Sequence, residues 1–252
     1  MVKKAKINDY YYNEIIKYLE DSFGNYKFTD SLRDNYVKEF IIKYIRVLKS
    51  IKLLDLNGFH HECDILIRTL DEMIIDLAYL ELDSNNYIRY DLYVNYQLYD
   101  LINEKCEIDD IDINEYPEID IIKNKRDQYE KKYIGKQSRW SGISYYKQAQ
   151  IVDENKNNGP IPLLDMFRRI YRLNCLNSHN SGIILNKVYK SLNIYQEIDY
   201  MYLHNINYIV LLTSLLKEIC LPDIFAKDTN IFKEFDTFLG GLKLISEINS
   251  NN

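Results

Sequence analysis

The feature that most constrains this chain is the recurrence of apolar residues every three to four positions along nearly its whole length. The alternation that marks a strand is almost absent. Only 4 Pro and 8 Gly interrupt 252 residues, whereas sandwiches and barrels turn often and need more of both. The pattern predicts an all-α fold, a bundle of about eight or nine helices. Hydrophobic residues make up 46% of the chain, enough to fill one core over a single domain, residues 1–252.

The helices can be placed one by one. A first runs from about Tyr10 to Asp21 and ends near Gly24. Thr29, Asp30 or Ser31 can cap a long second, carried by Tyr36, Phe40, Ile41, Tyr44, Leu48 and Ile51, which stops near Asn57-Gly58. A third covers about 60–82, with Ile65, Leu66, Leu70, Met73, Ile74, Leu77 and Leu80 as its apolar stripe. A fourth spans about 87–106, and the acidic stretch 107–118 reads as a loop. A charged fifth helix covers about 119–133. Trp140, the only tryptophan, lies in the connection 135–142, before a short helix over about 144–153. Pro160 and Pro162 open a helix running to about Asn177. A long apolar helix follows over about 197–220, and a last one over about 231–248.

Composition narrows the function. The net charge is −6, so bulk electrostatic capture of nucleic acid is disfavoured and a local basic site is required if RNA is bound. The 24 tyrosines sit in a background rich in Ile, Asn and Lys and suit half-buried helix positions. Cys63, Cys106, Cys175 and Cys220 form no CxxC pair and read as reduced thiols of a cytoplasmic protein. The polar, lysine-bearing N-terminus carries no signal region. The most apolar run, Ile206 to Leu216, is too short to span a bilayer, so no membrane association is expected.

The segment from Leu163 to Asn177 carries the chemistry. At 100° per residue, Leu163, Phe167, Ile170, Tyr171 and Asn174 share one face, and Arg168, Arg172 and Cys175 share the other, with Asp165 beside them. His179 continues the polar stripe seven residues beyond Arg172. Fully helical, that spacing rises about 10 Å, too far to hold one phosphate. The gap closes if the turn after Asn177 folds His179 back, or if two copies of the helix face each other. Such a pair suits metal-independent cleavage of an RNA phosphodiester. The imidazole takes the ribose 2′-OH proton, and the guanidinium holds the phosphate. The same residues also have a purely structural reading: arginine near a helix C-terminus complements the dipole, and histidine at a helix exit caps it.

The segment Arg172-Leu173-Asn174-Cys175-Leu176-Asn177-Ser178-His179 fits the Arg-x6-His motif and resembles that of HEPN-domain ribonucleases. Two further elements of a related family of bacterial helical proteins are present in order. They are Leu66-Ile67-Arg68-Thr69-Leu70-Asp71-Glu72, and Trp140-Ser141-Gly142 before a short helix. The resemblance covers roughly residues 35–220, leaving the N- and C-terminal helices as additions. It implies a HEPN-like helical bundle, homodimerisation and endoribonuclease activity without a cofactor, within a toxin–antitoxin or antiphage defence system that supplies a partner protein. Arg172 and His179 would be catalytic. Arg68, Glu72, Ser178 and Tyr171 would support them, and Arg168 and Arg169 would hold the RNA backbone. The chain departs from the usual pattern at Leu173, where Asn, Asp or His is common, and at Ser181, where many toxin members carry tyrosine.

Two other clusters have alternatives. Arg68 and Glu72, four apart, form either an intrahelical ion pair or part of the Arg172–His179 pocket. His60-His61-Glu62-Cys63 cannot converge on one ion from a helix, so no metal is expected there, and His204 reads as a core histidine. The function divides between a HEPN-like endoribonuclease and a catalytically inactive helical interaction or sensor module of a defence system.

Overall fold

The computed structural model describes residues 2–133, 139–155, 163–166, 194–225 and 233. Among them every regular element is helical, as the periodicity predicts. The helices are α1 (Val2–Asn25), α2 (Leu32–Leu56), α3 (His60–Leu80), α4 (Ser84–Asp109), α5 (Ile119–Lys132), α6 (Tyr145–Asn155), α7 (Leu163–Met166) and α8 (Ile194–Leu215). α8 passes into a π-helical turn, Leu216–Cys220, and a short 3-10 turn, Ile113–Glu115, joins α4 to α5.

Local chemistry sets the ends. The Ser31 hydroxyl accepts from the Asp34 N–H at 3.1 Å and starts α2, as expected. α2 stops where Gly58 takes φ +86, and the Phe59 N–H folds back to the Leu54 carbonyl at 3.0 Å. Asp83 caps α4 through the Asn85 N–H at 2.9 Å. α4 ends at Asp110 in a left-handed conformation, with the Ile111 N–H on the Cys106 carbonyl at 3.0 Å. The acidic stretch expected as a loop is therefore helical as far as Asp109.

The main core lies among α1, α2, α3 and α8. Tyr12, Ile15 and Leu19 meet Ile41, Leu48 and Ile51 from α2, Ile67, Leu70 and Ile74 from α3, and Ile206, Ile209 and Leu212 from α8. The expected stripe of α3 needs one correction: Ile65 is 50% exposed, while Ile67 is fully buried. α4 and α5 form an antiparallel hairpin with a small core of its own, Ile102, Cys106, Ile119 and Ile122. α6 lies against α3 and turns the chain into α7. No helix of the described residues is long and apolar enough to cross a membrane. Cys63, Cys106 and Cys220 are buried free thiols, and Cys175 lies outside the described residues. So does the helix expected over 231–248, apart from Lys233, and the side chain of His204.

Candidate functional site

Arg168, Arg169, Tyr171, Arg172, Ser178 and His179 lie outside the described residues. Of the helix expected to carry the arginines, only the turn α7, Leu163–Met166, is among the described residues, and its start is fixed. The Asp153 carboxylate, at the end of α6, accepts from the N–H groups of Leu163 and Leu164, both at 2.9 Å. Leu163 is itself fully buried, so this start is anchored on both sides.

Arg68 and Glu72 are described. The Arg68 Nε–H donates to Glu72 Oε1 at 3.0 Å, one turn along α3, and both side chains are about one-quarter exposed. Asp76 stands one turn further on the same stripe and accepts three hydrogen bonds at Oδ1. The donors are Arg139 Nη2 at 2.8 Å, Trp140 Nε1 at 2.9 Å and Gln148 Nε2 at 3.0 Å. The Tyr145 hydroxyl lies between the carboxylates, 3.3 Å from Glu72 Oε2 and 3.5 Å from Asp76 Oδ2. A phenol has one proton, so it donates to one of them at a time. The Arg139 guanidinium covers the Tyr145 ring, and Trp140 packs between Tyr79 and Tyr90.

The electrostatics follow from this packing. Burial pushes the Asp76 carboxyl above its ordinary value, while Arg139, Trp140 and Gln148 favour its charged form. Burial, then Asp76, push the Tyr145 phenol up, so it is a donor and not a base. The result is an alternating ladder, Arg68–Glu72–Tyr145–Asp76–Arg139, along the face of α3 that α6 covers. The motif segments at 66–72 and 140–142 are thus linked through residues outside them: Tyr145 reaches Glu72, and Trp140 reaches Asp76. Sequence reasoning missed Asp76, Arg139, Tyr145 and Gln148. The available signal was the four-residue repeat 68, 72, 76 and the placement of Arg139 and Tyr145 around Trp140.

A second polar centre is deeper. Asp55, 1% exposed, accepts at Oδ1 from Asn205 Nδ2 at 2.7 Å, and at Oδ2 from the Tyr12 hydroxyl at 3.2 Å and Asn8 Nδ2 at 3.3 Å. His60 Nδ1 lies 2.8 Å from Oδ1. Four helices are tied to one carboxylate. His60 is thus a partner of Asp55, and Cys63 sits near the carbonyls of Ile51 and Phe59, its thiol pushed up by burial. Among the described residues no group of three His, Cys, Asp or Glu could hold a metal ion.

The fold and this ladder define an all-α bundle protein with a half-buried, charge-alternating stripe on its third helix. The chain belongs to a family of unknown function (DUF5677), whose model matches residues 34–197, from α2 to the start of α8. No curated protein and no solved structure matches it.

Proposed function

We propose that the protein is a HEPN-like endoribonuclease that needs no metal, acting as a homodimer within a toxin or antiphage defence system alongside a partner protein. His179 removes the proton from a ribose 2′-OH, and the 2′-oxygen attacks phosphorus. The bond to the 5′-oxygen breaks, and that oxygen takes up a proton, from solvent or from the now protonated His179, leaving a 2′,3′-cyclic phosphate and a 5′-hydroxyl. Arg172 holds the phosphate and stabilises the charge on its oxygens. Arg168 and Arg169 bind the RNA backbone, and Arg68, Glu72, Tyr171 and Ser178 orient the pair.

The observation that carries this reading is convergence. The segments at 66–72 and 139–148 are about seventy residues apart, yet build one ladder. α7, the described turn that precedes Arg168 and Arg172 in the chain, is held at its start by Asp153 of the same α6. The test is RNA cleavage by the full chain in EDTA. Wild type is expected to cleave, and His179→Ala to lose at least about a hundredfold. Equal cleavage by both proteins would overturn the reading.

One observation favours a second reading, a catalytically inactive interaction module. Arg68 is engaged by Glu72, and Arg139 by Asp76, so the ladder also works as an internal lock. Absence of cleavage by wild type, with folding intact, selects this reading.

A further inference from the structure

Among the described residues, the outer face of the α4–α5 hairpin is an uncovered apolar stripe with an ordered charge pattern on either side of it. Tyr87, Val94, Leu101 and Ile108 repeat every seven residues along α4. The first two face the bundle: Tyr87 is buried and donates to Glu81, and Val94 is half-buried. The helix then runs off the bundle while the repeat continues, leaving Leu101 62% and Ile108 82% exposed. The ion pair between Asp91 and Lys125, 2.9 Å, marks one side of the hairpin. Leu98 is seven residues after Asp91, and Ile121 four before Lys125, so both fall on that side. Both are exposed, and they widen the stripe across two helices.

Charge divides the hairpin lengthwise. The distal part, residues 104–120, holds eight carboxylates and one lysine. The proximal part, residues 84–95 and 123–133, holds six Lys or Arg and three Asp or Glu. A solvated tip needs polarity but not this segregation, and a soluble helix does not need Leu101 and Ile108 at the next two positions of its packing repeat.

We propose that this face is where two copies of the chain associate, hairpin on hairpin and antiparallel. A two-fold axis near Leu101 sets that residue against its counterpart. It brings the acidic tip of each hairpin beside the Lys131–Lys132 end of the other, whereas a parallel pairing would set acid against acid. The arrangement is isologous, so one surface serves both copies. The exposed stretch 97–108 extends about 17 Å along the axis and is two helices wide, at the small end of specific interfaces, so the dimer is reversible. This gives a surface to the homodimer of the proposed function and rests on that part of it alone. Its test reads mass rather than RNA cleavage, so either can fail without the other.

The experiment is sedimentation velocity of the full chain from about 1 to about 100 µM, with circular dichroism as the folding control. Wild type is expected to shift from monomer to dimer across that range, and to dissociate as salt rises to about 0.5 M. Leu101→Asp with Ile108→Asp, both at exposed positions, should weaken association at least about thirtyfold with unchanged helicity. Asp109→Lys with Glu115→Lys should weaken it, as should Lys131→Glu with Lys132→Glu. In a mixed dimer of those two proteins both tip-to-base contacts again set opposite charges together at the substituted positions, so an equimolar mixture should associate better than either alone. A wild type that stays monomeric throughout, a dimer indifferent to Leu101→Asp and Ile108→Asp, or a mixture no better than its components would each overturn the proposal.

Discussion

The indole N–H of Trp140 donates to Oδ1 of Asp76 at 2.9 Å, joining two residues 64 positions apart in the chain. The contact fixes the start of α6 on α3 and so sets where Tyr145 and Gln148 fall. Asp76 is held because three donors converge on one oxygen, and burial alone would favour its neutral form. Trp140 is the chain's only tryptophan, and its polar handle faces the stripe that carries Arg68 and Glu72.

Removing that handle should have a limited cost. Trp140→Phe keeps the ring contacts with Tyr79 and Tyr90 and loses one hydrogen bond, so a loss of about 1 kcal/mol is expected. Asp76→Ala strands Arg139 as well and should cost about 3 kcal/mol. Urea denaturation followed by circular dichroism measures both. Equal effects would mean that Asp76 serves Trp140 alone.

The centre at Asp55 is a sharper case. Asp55→Ala leaves His60, Tyr12, Asn8 and Asn205 without their shared acceptor in a dry site, and about 3–5 kcal/mol should be lost. Asp55→Asn retains one oxygen and should lose less. Thermal melting of both variants checks the order, and an Asn variant less stable than the Ala variant would contradict it.

How far the sequence led can be judged from particular residues. Helix ends were legible where local residues set them, to within Thr29, Asp30 or Ser31 at the start of α2 and at Gly58 at its end, because capping acts within a few positions. The helix start at Leu163 was legible too, although Asp153, ten residues back, supplies the cap. The phase of α3 was read wrongly at Ile65, since Ile65 and Ile67 are chemically identical and only the packed neighbours decide which is buried. Asp55 and Asp76 escaped notice because most of their partners are remote: Tyr12, Asn8 and Asn205 lie 43 to 150 residues from Asp55, and the three donors to Asp76 lie 63 to 72 residues from it. A carboxylate in a helix otherwise reads as solvated surface. The pair Arg68 and Glu72 was legible as an ion pair, but its extension to Asp76 depends on residues that approach only after folding.

Acid should act oppositely at two carboxylates. Burial pushes the Asp34 carboxyl up, but the Thr29 N–H and hydroxyl, each at 2.7 Å, and Arg33 outweigh it and hold it below its ordinary value of 3.8. Its contribution is present above that value and is lost as pH falls below it. Asp76 is raised, so its contribution is complete below 3.8 and declines as pH rises from there towards its folded-state value. Asp34→Asn should flatten the acid side of the stability profile. The stability of Asp76→Asn relative to wild type should improve as pH rises. Urea midpoints from about pH 3 to about pH 7 test both signs.

Asp153 offers the most direct route from this packing to function. Its two oxygens take the N–H groups of Leu163 and Leu164, so one carboxylate does the work of an N-cap while standing in another helix. It also complements the positive end of the helix dipole. Asp153→Ala should cost about 1–2 kcal/mol, and Asp153→Asn less, since one amide oxygen still accepts. If the helix entered here presents Arg172 to the stripe, loosening its start should lower the rate of RNA cleavage more than it weakens RNA binding. Cleavage rates and binding constants of the Ala and Asn variants, at a temperature where both are folded, separate the possibilities. A rate loss that follows the stability order, with RNA affinity retained, supports a positioning role. Unchanged cleavage by a destabilised Asp153→Ala protein would show that the cap serves stability alone.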